Sequence, residues 1–241
     1  MASIHKTYVL VHGAWHGGWC WRHVTPILRE RGHQVFTPTQ TGLGERAHLL
    51  TKEVGFETFV QDVAGLIEME ELSDIVLVGH SFAGNVVTCI ADRMPERIAQ
   101  LVYLDAAIPL DGESAFSPLP EAIVAERIEL SKKTSGGLTM PIPDLKIFGV
   151  TEPAQVQWIT PHLRPHPIKT YTDQIRFKNP LGNGRPTTYI ACTNPIYAPL
   201  ARARDIAKKQ PGWKYEEIAC GHDAMVALPQ PLAEMLLAIG K

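Results

Sequence analysis

Three stretches of this 241-residue chain carry side chains whose types and spacing could do chemistry. The first is Ile75–Gly84, Ile-Val-Leu-Val-Gly-His-Ser-Phe-Ala-Gly. Ile75 to Val78 is apolar and branched, the pattern of a strand buried on both faces of a parallel sheet. Gly79 breaks the run, and Asn85–Arg93 has the composition of a helix. A strand, a tight turn with small residues on either side of Ser81, and then a helix make a nucleophile elbow, whose strained turn lifts the hydroxyl above the sheet edge. Ala83 stands where the usual Gly-x-Ser-x-Gly pattern has its second Gly. The plainer reading of Ser81 is a buried turn residue that caps a helix.

A serine hydroxyl is a weak nucleophile until a base takes its proton, so a histidine must approach Ser81 in space. Of the ten histidines, His162 and His166 lie in a Pro-rich region, and His23, His33 and His48 in polar contexts. His80 adjoins Ser81, but neighbouring strand residues face opposite ways, which puts it behind the turn. His222 forms the second stretch. It follows the strand-like run Lys214–Ala219 and Gly221, at the C-terminal sheet edge where Ser81 emerges and where doubly wound sheets build their sites. Its place after Ser81 fits the chain order Ser, acid, His. His222 is the expected base; the plain alternative is a satisfied loop histidine. The third stretch is His12-Gly13-Ala14-Trp15-His16-Gly17-Gly18, directly after the apolar run Thr7–Val11. A Gly-rich turn could cradle a phosphate, but neither Gly-x-Gly-x-x-Gly nor Gly-Lys-Ser/Thr is present. It reads better as a loop that offers a backbone N–H to an oxyanion.

The elements that must position these residues follow from periodicity. Trp19–Arg31 reads as a helix ended by Gly32, and Gln34–Thr37 as a strand stopped by Pro38. Phe56, Phe59, Val60, Val63, Leu66 and Ile67 share one helical face, so Gly55–Glu70 is an amphipathic helix, with Glu68, Glu70 and Glu71 on its solvated side. Ile98–Leu104 is a strand ending in Asp105. Regularity then lapses: prolines crowd residues 109–185, with short helices at Glu121–Lys133 and Pro153–Thr160. This stretch reads as a cap inserted over the sheet. Strand Thr187–Cys192, helix Pro199–Lys209, strand Lys214–Ala219 and helix Pro231–Ile239 complete the chain. Alternating strands and helices predict a mostly parallel, doubly wound α/β sheet covered on both faces, one domain with its core in 1–108 and 186–241.

Composition fits this frame. With 45% hydrophobic and 20% charged residues the chain is an ordinary globular one. A net charge of −2 and an isoelectric point near 6.5 leave no basic footprint for nucleic acid or an acidic membrane. Met1–Lys6 is polar and too short for a signal h-region, and no apolar run reaches the roughly 18 residues of a membrane span. Cys20, Cys89, Cys192 and Cys220 form no Cys-x-x-Cys pair, and Cys89 and Cys192 sit in apolar segments, so buried free thiols in a reducing cytoplasm are expected.

Val9–Trp21, Gly79–Gly84 and Gly221-His222-Asp223-Ala224-Met225 together resemble the α/β-hydrolase fold, in the branch of plant methylesterases, hydroxynitrile lyases and related bacterial carboxylesterases. The resemblance runs from about Thr7 to Ile239 and is weakest in the cap. It implies an oxyanion hole made by the backbone N–H groups of Ala14 and Phe82, each worth about 3 kcal/mol of barrier when aimed at the developing charge. One position departs: where the family carries its acid after strand Thr187–Cys192, this chain has Asn194. Asn can orient an imidazole but does not offset imidazolium charge, and an Asp-to-Asn change in a serine protease costs roughly 10⁴ in rate. Asp105, at the other position where such folds carry an acid, is preferred, with Asn194 the rival; Asp111 and Asp223 are weaker. For Asp105 the plain reading is a strand-end cap.

The function implied is serine carboxylesterase chemistry on small apolar or aromatic esters through an acyl-enzyme, with no metal or cofactor. The expected partner is a small-molecule ester, and homodimerisation is left open. Trp15, Phe82, Met140, Phe148, Trp158 and Met225 are candidates for an apolar pocket. Two alternatives remain. A cyanohydrin lyase would be expected to carry Thr and Lys where this chain has Gly13 and Asp223, and a non-catalytic binding protein could retain the fold.

Overall fold

The computed structural model describes residues 5–239, so Met1–Ile4 of the polar N-terminal segment lie outside the described residues. The first half of the chain runs β1 (Thr7–Val11), α1 (Thr25–Glu30), β2 (Gln34–Phe36), α2 (Phe56–Met69), β3 (Ile75–His80), α3 (Ala83–Arg93) and β4 (Ile98–Leu104). An excursion follows with α4 (Glu121–Ser135), β5 (Thr139–Met140), α5 (Pro153–Ile159), β6 (His166–Pro167) and α6 (Lys169–Thr172). The chain then returns through β7 (Thr187–Cys192), α7 (Ala201–Lys209), β8 (Lys214–Ile218), α8 (Ala224–Ala227) and α9 (Pro229–Ala238).

Six strands form one parallel sheet in the order β2-β1-β3-β4-β7-β8. Every residue of β3 and β7 is buried, and successive strand side chains face opposite ways, so helices must cover both faces. The Tyr8 hydroxyl donates to Leu236 O (3.2 Å), which ties β1 to α9 on one side. The direction of chain progress reverses at β1, and the C-terminal ends of β1, β3, β4 and β7 all open at one edge. This is the mostly parallel, doubly wound α/β sheet that the sequence pattern predicts, in the α/β-hydrolase arrangement that the resemblance implies.

The observed elements depart from the expected ones in several places. The helix expected over Trp19–Arg31 is broken into a tight turn at Gly18–Trp21 and α1, because Pro26 cannot supply an N–H and can sit only in a first helical turn. β3 continues two residues past Val78 to His80, pairing Gly79 and His80 with Tyr103 and Leu104 of β4. A short helix, α8, follows Asp223. In the excursion, β5 and β6 pair antiparallel, a two-stranded ribbon that two-residue segments do not advertise. None of the described helices is long and apolar enough to cross a membrane.

Packing at the β3–α3 turn explains its small residues. A Cβ on Gly79 would lie 2.7 Å from Val87 and 2.9 Å from Ala83 O. One on Gly84 would lie 2.0 Å from Ala107 O and 2.9 Å from the Ala106 methyl. Ala83 itself is fully buried, so its methyl group fits where a second Gly was expected. Gly84→Ala should therefore push α3 away from the 106–107 backbone and cost about 3 kcal/mol, as overpacking does. A thermal unfolding midpoint equal to that of the unaltered protein would contradict this packing account.

Candidate active site

Ser81 sits in the sharp turn between β3 and α3 with φ 55°, a left-handed conformation that a side-chain-bearing residue adopts only at a cost of about 1–3 kcal/mol. Backbone bonds hold it there: Ser81 N–H donates to Leu104 O (3.2 Å), and Ala107 N–H donates to Ser81 O (2.9 Å). Trp15 (φ 65°) and Asp105 (φ 37°) are strained in the same way, one in the loop after β1 and the other just past β4.

His222 reaches the turn from the loop after β8. Its Nε2 lies 2.8 Å from Ser81 Oγ, and its Nδ1 lies 2.7 Å from Asp105 Oδ2. Asp105 is fully buried, and its other oxygen accepts from an Arg204 guanidinium N–H (2.8 Å) and from Cys192 N–H (3.3 Å). The carboxylate on Nδ1 leaves the Nδ1 proton in place and Nε2 free to accept from the serine hydroxyl. Arg204 also donates to Tyr197 O (2.9 Å), and the Tyr197 ring stacks on the His222 imidazole with centroids 4.2 Å apart. Arg204 was not singled out in the sequence, where it lies within the helix expected over Pro199–Lys209. The available signal was its position beside the small residues Ala203 and Ala207 on the buried stripe of α7.

Asn194 is not brought to His222. It is exposed in the turn before Pro195, with its backbone N–H donating to Cys220 O (2.9 Å). The turn carries it away from the imidazole, while the strained conformation of Asp105 directs that carboxylate inward. Asp111 is half-exposed at its side chain and faces Arg176.

Phe82 directly follows Ser81, and Ala14 follows Gly13, where a Cβ would lie 2.8 Å from Ser81 Cβ; among the described residues neither the Ala14 nor the Phe82 backbone N–H is taken by a protein acceptor. The loop carrying Ala14 is held from two sides. His166 Nδ1 accepts from Trp15 N–H (3.2 Å) while its Nε2 meets Thr170 Oγ1 (2.8 Å), and Arg164 N–H donates to Trp15 O (3.0 Å). His166, placed by the sequence in the Pro-rich region, is thus a buried stitch between the loop and the excursion; burial pushes its pKa well below the usual histidine value. His12 plays the matching part beneath the loop: Nε2 accepts from Gln40 N–H (3.1 Å), Nδ1–H donates to Gly13 O (2.8 Å), and burial lowers its pKa to about 3.

Behind His222 lies a second buried group. His80 Nε2–H donates to the His222 carbonyl (3.0 Å), and burial drives its pKa down to about 3, so it stays neutral. Asp223, also buried, faces His16 Nε2 at 3.2 Å, a distance at which the two meet as charges without an aligned hydrogen bond. Burial opposes charge on both, but their mutual attraction outweighs it: Asp223 is held at about 2 and His16 above its ordinary value. The donor atoms of His80, His222 and Asp223 lie within 4.8 Å of one another, close enough to suggest a cation site. They do not suit one, because both His222 nitrogens are engaged and His16 already balances Asp223.

A cavity of about 730 Å³, counting its open mouth, rises over Ser81 between the sheet edge and the excursion. Of the six side chains expected to line an apolar pocket, Trp15 and Phe82 do so. Met140, Phe148 and Met225 are buried in the core, and Trp158 packs against Trp19 and His23. Composition alone does not separate core aromatics from lining ones. The cavity wall is instead completed by Ile108, Leu119, Tyr171 and Tyr197, with Arg127 and Arg202 among them.

The His16–Asp223 pair generates a signed pH dependence. His16, with a raised folded pKa, stabilises fully below its unfolded value of about 6.5, and that contribution fades as pH rises through the folded value. Asp223 stabilises above its unfolded value of about 3.9, and that contribution fades as pH falls toward about 2. Asp223→Asn should accordingly lower the melting temperature most between about pH 4 and 6.5 and least in alkali. An equal loss at both ends, in thermal scans across pH, would overturn the pairing.

Set beside known proteins, the geometry has company. The model of the alpha/beta hydrolase family matches residues 8–236. A carbendazim hydrolyzing esterase from Nocardioides sp. (strain SG-4G) is 40% identical over 97% of this chain and 99% of its own length. Methylesterase 1 of Arabidopsis thaliana is 28% identical over 96% of this chain and 95% of its own. Among solved structures, an extracellular alpha/beta-hydrolase from a Paenibacillus species superposes with a TM-score of 0.84 at 25% identity, covering 98% of this chain and 99% of that one. With the family model spanning nearly the whole sequence and the 40% identical relative aligned end to end, the chain belongs to the alpha/beta hydrolase family.

Proposed function

We propose that the protein is a serine carboxylesterase that cleaves small esters through an acyl-enzyme. The observation that carries this is the unbroken line from Ser81 Oγ through His222 to Asp105, at 2.8 and 2.7 Å, beneath an open cavity. Relatives named for ester hydrolysis, including the carbendazim hydrolyzing esterase and the methylesterase, support the same class of reaction.

In this mechanism His222 Nε2 takes the Ser81 proton as Oγ attacks the ester carbonyl. The resulting oxyanion is received by the N–H groups of Ala14 and Phe82, neither of which has a protein acceptor among the described residues. Asp105 holds the imidazole in the reactive tautomer and offsets the charge of the imidazolium as it forms. His222 then returns the proton to the leaving alkoxide. The alcohol departs, a water enters, and the same steps in reverse release the acid. Residues 109–185 act as the cap: they supply Leu119, Arg127 and Tyr171 to the cavity wall and so select the ester by shape and charge.

The lyase alternative fits poorly. A Cβ on Gly13 would lie 2.8 Å from Ser81 Cβ, so the loop has no room for the threonine such chemistry employs. Asp223 is turned inward to His16 and offers no cation to cyanide. For a pure binding protein, a strained serine with two strained neighbours, Trp15 and Asp105, would be unexplained, whereas strain of this kind is what positions a reactive group.

Ser81→Ala should lower kcat on p-nitrophenyl esters by about 10⁶ while leaving the melting temperature in place. Asp105→Asn should lower kcat by roughly 10⁴ with little change in KM, since its charge matters only once imidazolium forms. Asn194→Ala should be mild. Steady-state kinetics of the three variants decide the assignment: a Ser81→Ala protein retaining a hundredth of the activity, or an Asn194→Ala protein more damaged than Asp105→Asn, contradicts it.

A further inference from the structure

The cavity over Ser81 is apolar through most of its wall, yet two arginines line it and no acidic side chain does. The two differ. Arg202 is neutralised, its guanidinium 2.9 Å from both carboxylate oxygens of Glu113. Arg127, on the excursion helix α4, is half-buried and has no carboxylate within ion-pair distance among the described residues. Its neighbours at the cavity are the phenols of Tyr171 and Tyr197, whose rings are fixed by stacking on Phe82 (centroids 4.8 Å) and His222 (4.2 Å). Both phenols are held above the ordinary tyrosine value, chiefly by burial, so both remain O–H donors at neutral pH.

A cation and two hydroxyl donors facing one cavity, with no protein anion to satisfy them, make a receptor for an acceptor group on the ligand. We propose that Arg127, assisted by the Tyr171 and Tyr197 hydroxyls, receives a carboxylate carried by the substrate away from the scissile bond, so that half-esters of dicarboxylic acids are a favoured substrate class. Guanidinium–carboxylate pairing is geometrically selective and charge-assisted, and the apolar wall around it lowers screening by water. The Arg202–Glu113 pair serves as the internal contrast: it holds the cavity wall without presenting net charge. The selectivity rests on the ester-hydrolase reading for its chemistry, whereas the carboxylate site itself does not.

The test compares monomethyl esters of linear dicarboxylic acids, succinate through suberate, with methyl esters of monocarboxylic acids of equal length, by pH-stat on the full chain. At least one half-ester should exceed its uncharged partner in kcat/KM by about tenfold. Arg127→Gln should abolish that ratio, and Arg127→Lys should retain part of it, because a point charge replaces the planar fork. Added salt should erode the ratio in the unaltered protein, a readout that needs no variant. Preference for the uncharged ester at every length, a ratio indifferent to Arg127→Gln, or one indifferent to salt overturns the proposal and leaves Arg127 as a solvated rim cation. If neither series is hydrolysed, the esterase reading fails separately, and calorimetry decides the site. Monomethyl adipate should bind Ser81→Ala and not Ser81→Ala/Arg127→Gln; equal binding to both overturns it.

Discussion

A carboxylate with no access to water must be compensated on every side, and Asp105 is such a group. It lies at the end of β4, one of the two central strands, and its partners come from three other parts of the chain: Cys192 N–H at the end of β7, Arg204 on α7, and His222 beyond β8. Removing any one of them would leave charge stranded in a low-dielectric interior, where breaking a pair typically costs about 3–5 kcal/mol. The same contacts that stabilise the carboxylate fix the imidazole, and the imidazole fixes the position of Ser81 Oγ. Arg204 extends the chain further by holding Tyr197 O, which keeps the Tyr197 ring over His222. Stability and reactivity therefore share one set of bonds.

The residues between β4 and β7 are part of this arrangement and not an appendage. Gly221, immediately before His222, approaches Gly149 so closely that a Cβ on Gly221 would lie 2.8 Å from the Gly149 Cα. His166 and Arg164 hold the backbone of Trp15, and with it the neighbouring Ala14 N–H. The buried pair His16–Asp223 ties the loop after β1 to the loop after β8. Three loops from distant parts of the sequence are thus locked to one another around the serine, which is how an irregular rim can hold donors to the tolerance that a transition state requires.

Much of this was legible in the sequence because it rests on local pattern. β4 and β7 have the limits that their apolar runs predict, and the turn at Ser81 follows from a strand, small residues and a helix in succession. His222 could be placed by sheet topology alone. What local pattern cannot supply is the partner of a side chain. Asp105 and Asn194 each end a strand, and only the backbone conformation beyond the strand decides which one faces His222. Asp223 stands in the sequence only as a weaker candidate for the acid, and its burial against His16 depends on a contact more than two hundred residues away in sequence. The lining of the cavity was equally hidden: Met140 and Met225 belong to the core, while Arg127, on a helix with little amphipathic pattern, faces the cavity.

The central claim is that Ser81 forms a covalent bond to the acyl group. The most direct measurement is mass spectrometry of protein quenched during turnover of an aryl ester with a slowly hydrolysed acyl group, followed by peptide mapping. The account predicts one added acyl mass per chain, located on Ser81, that disappears as substrate is exhausted. Turnover without any acylated protein, or an acyl group on another residue with Ser81 unmodified, would contradict it.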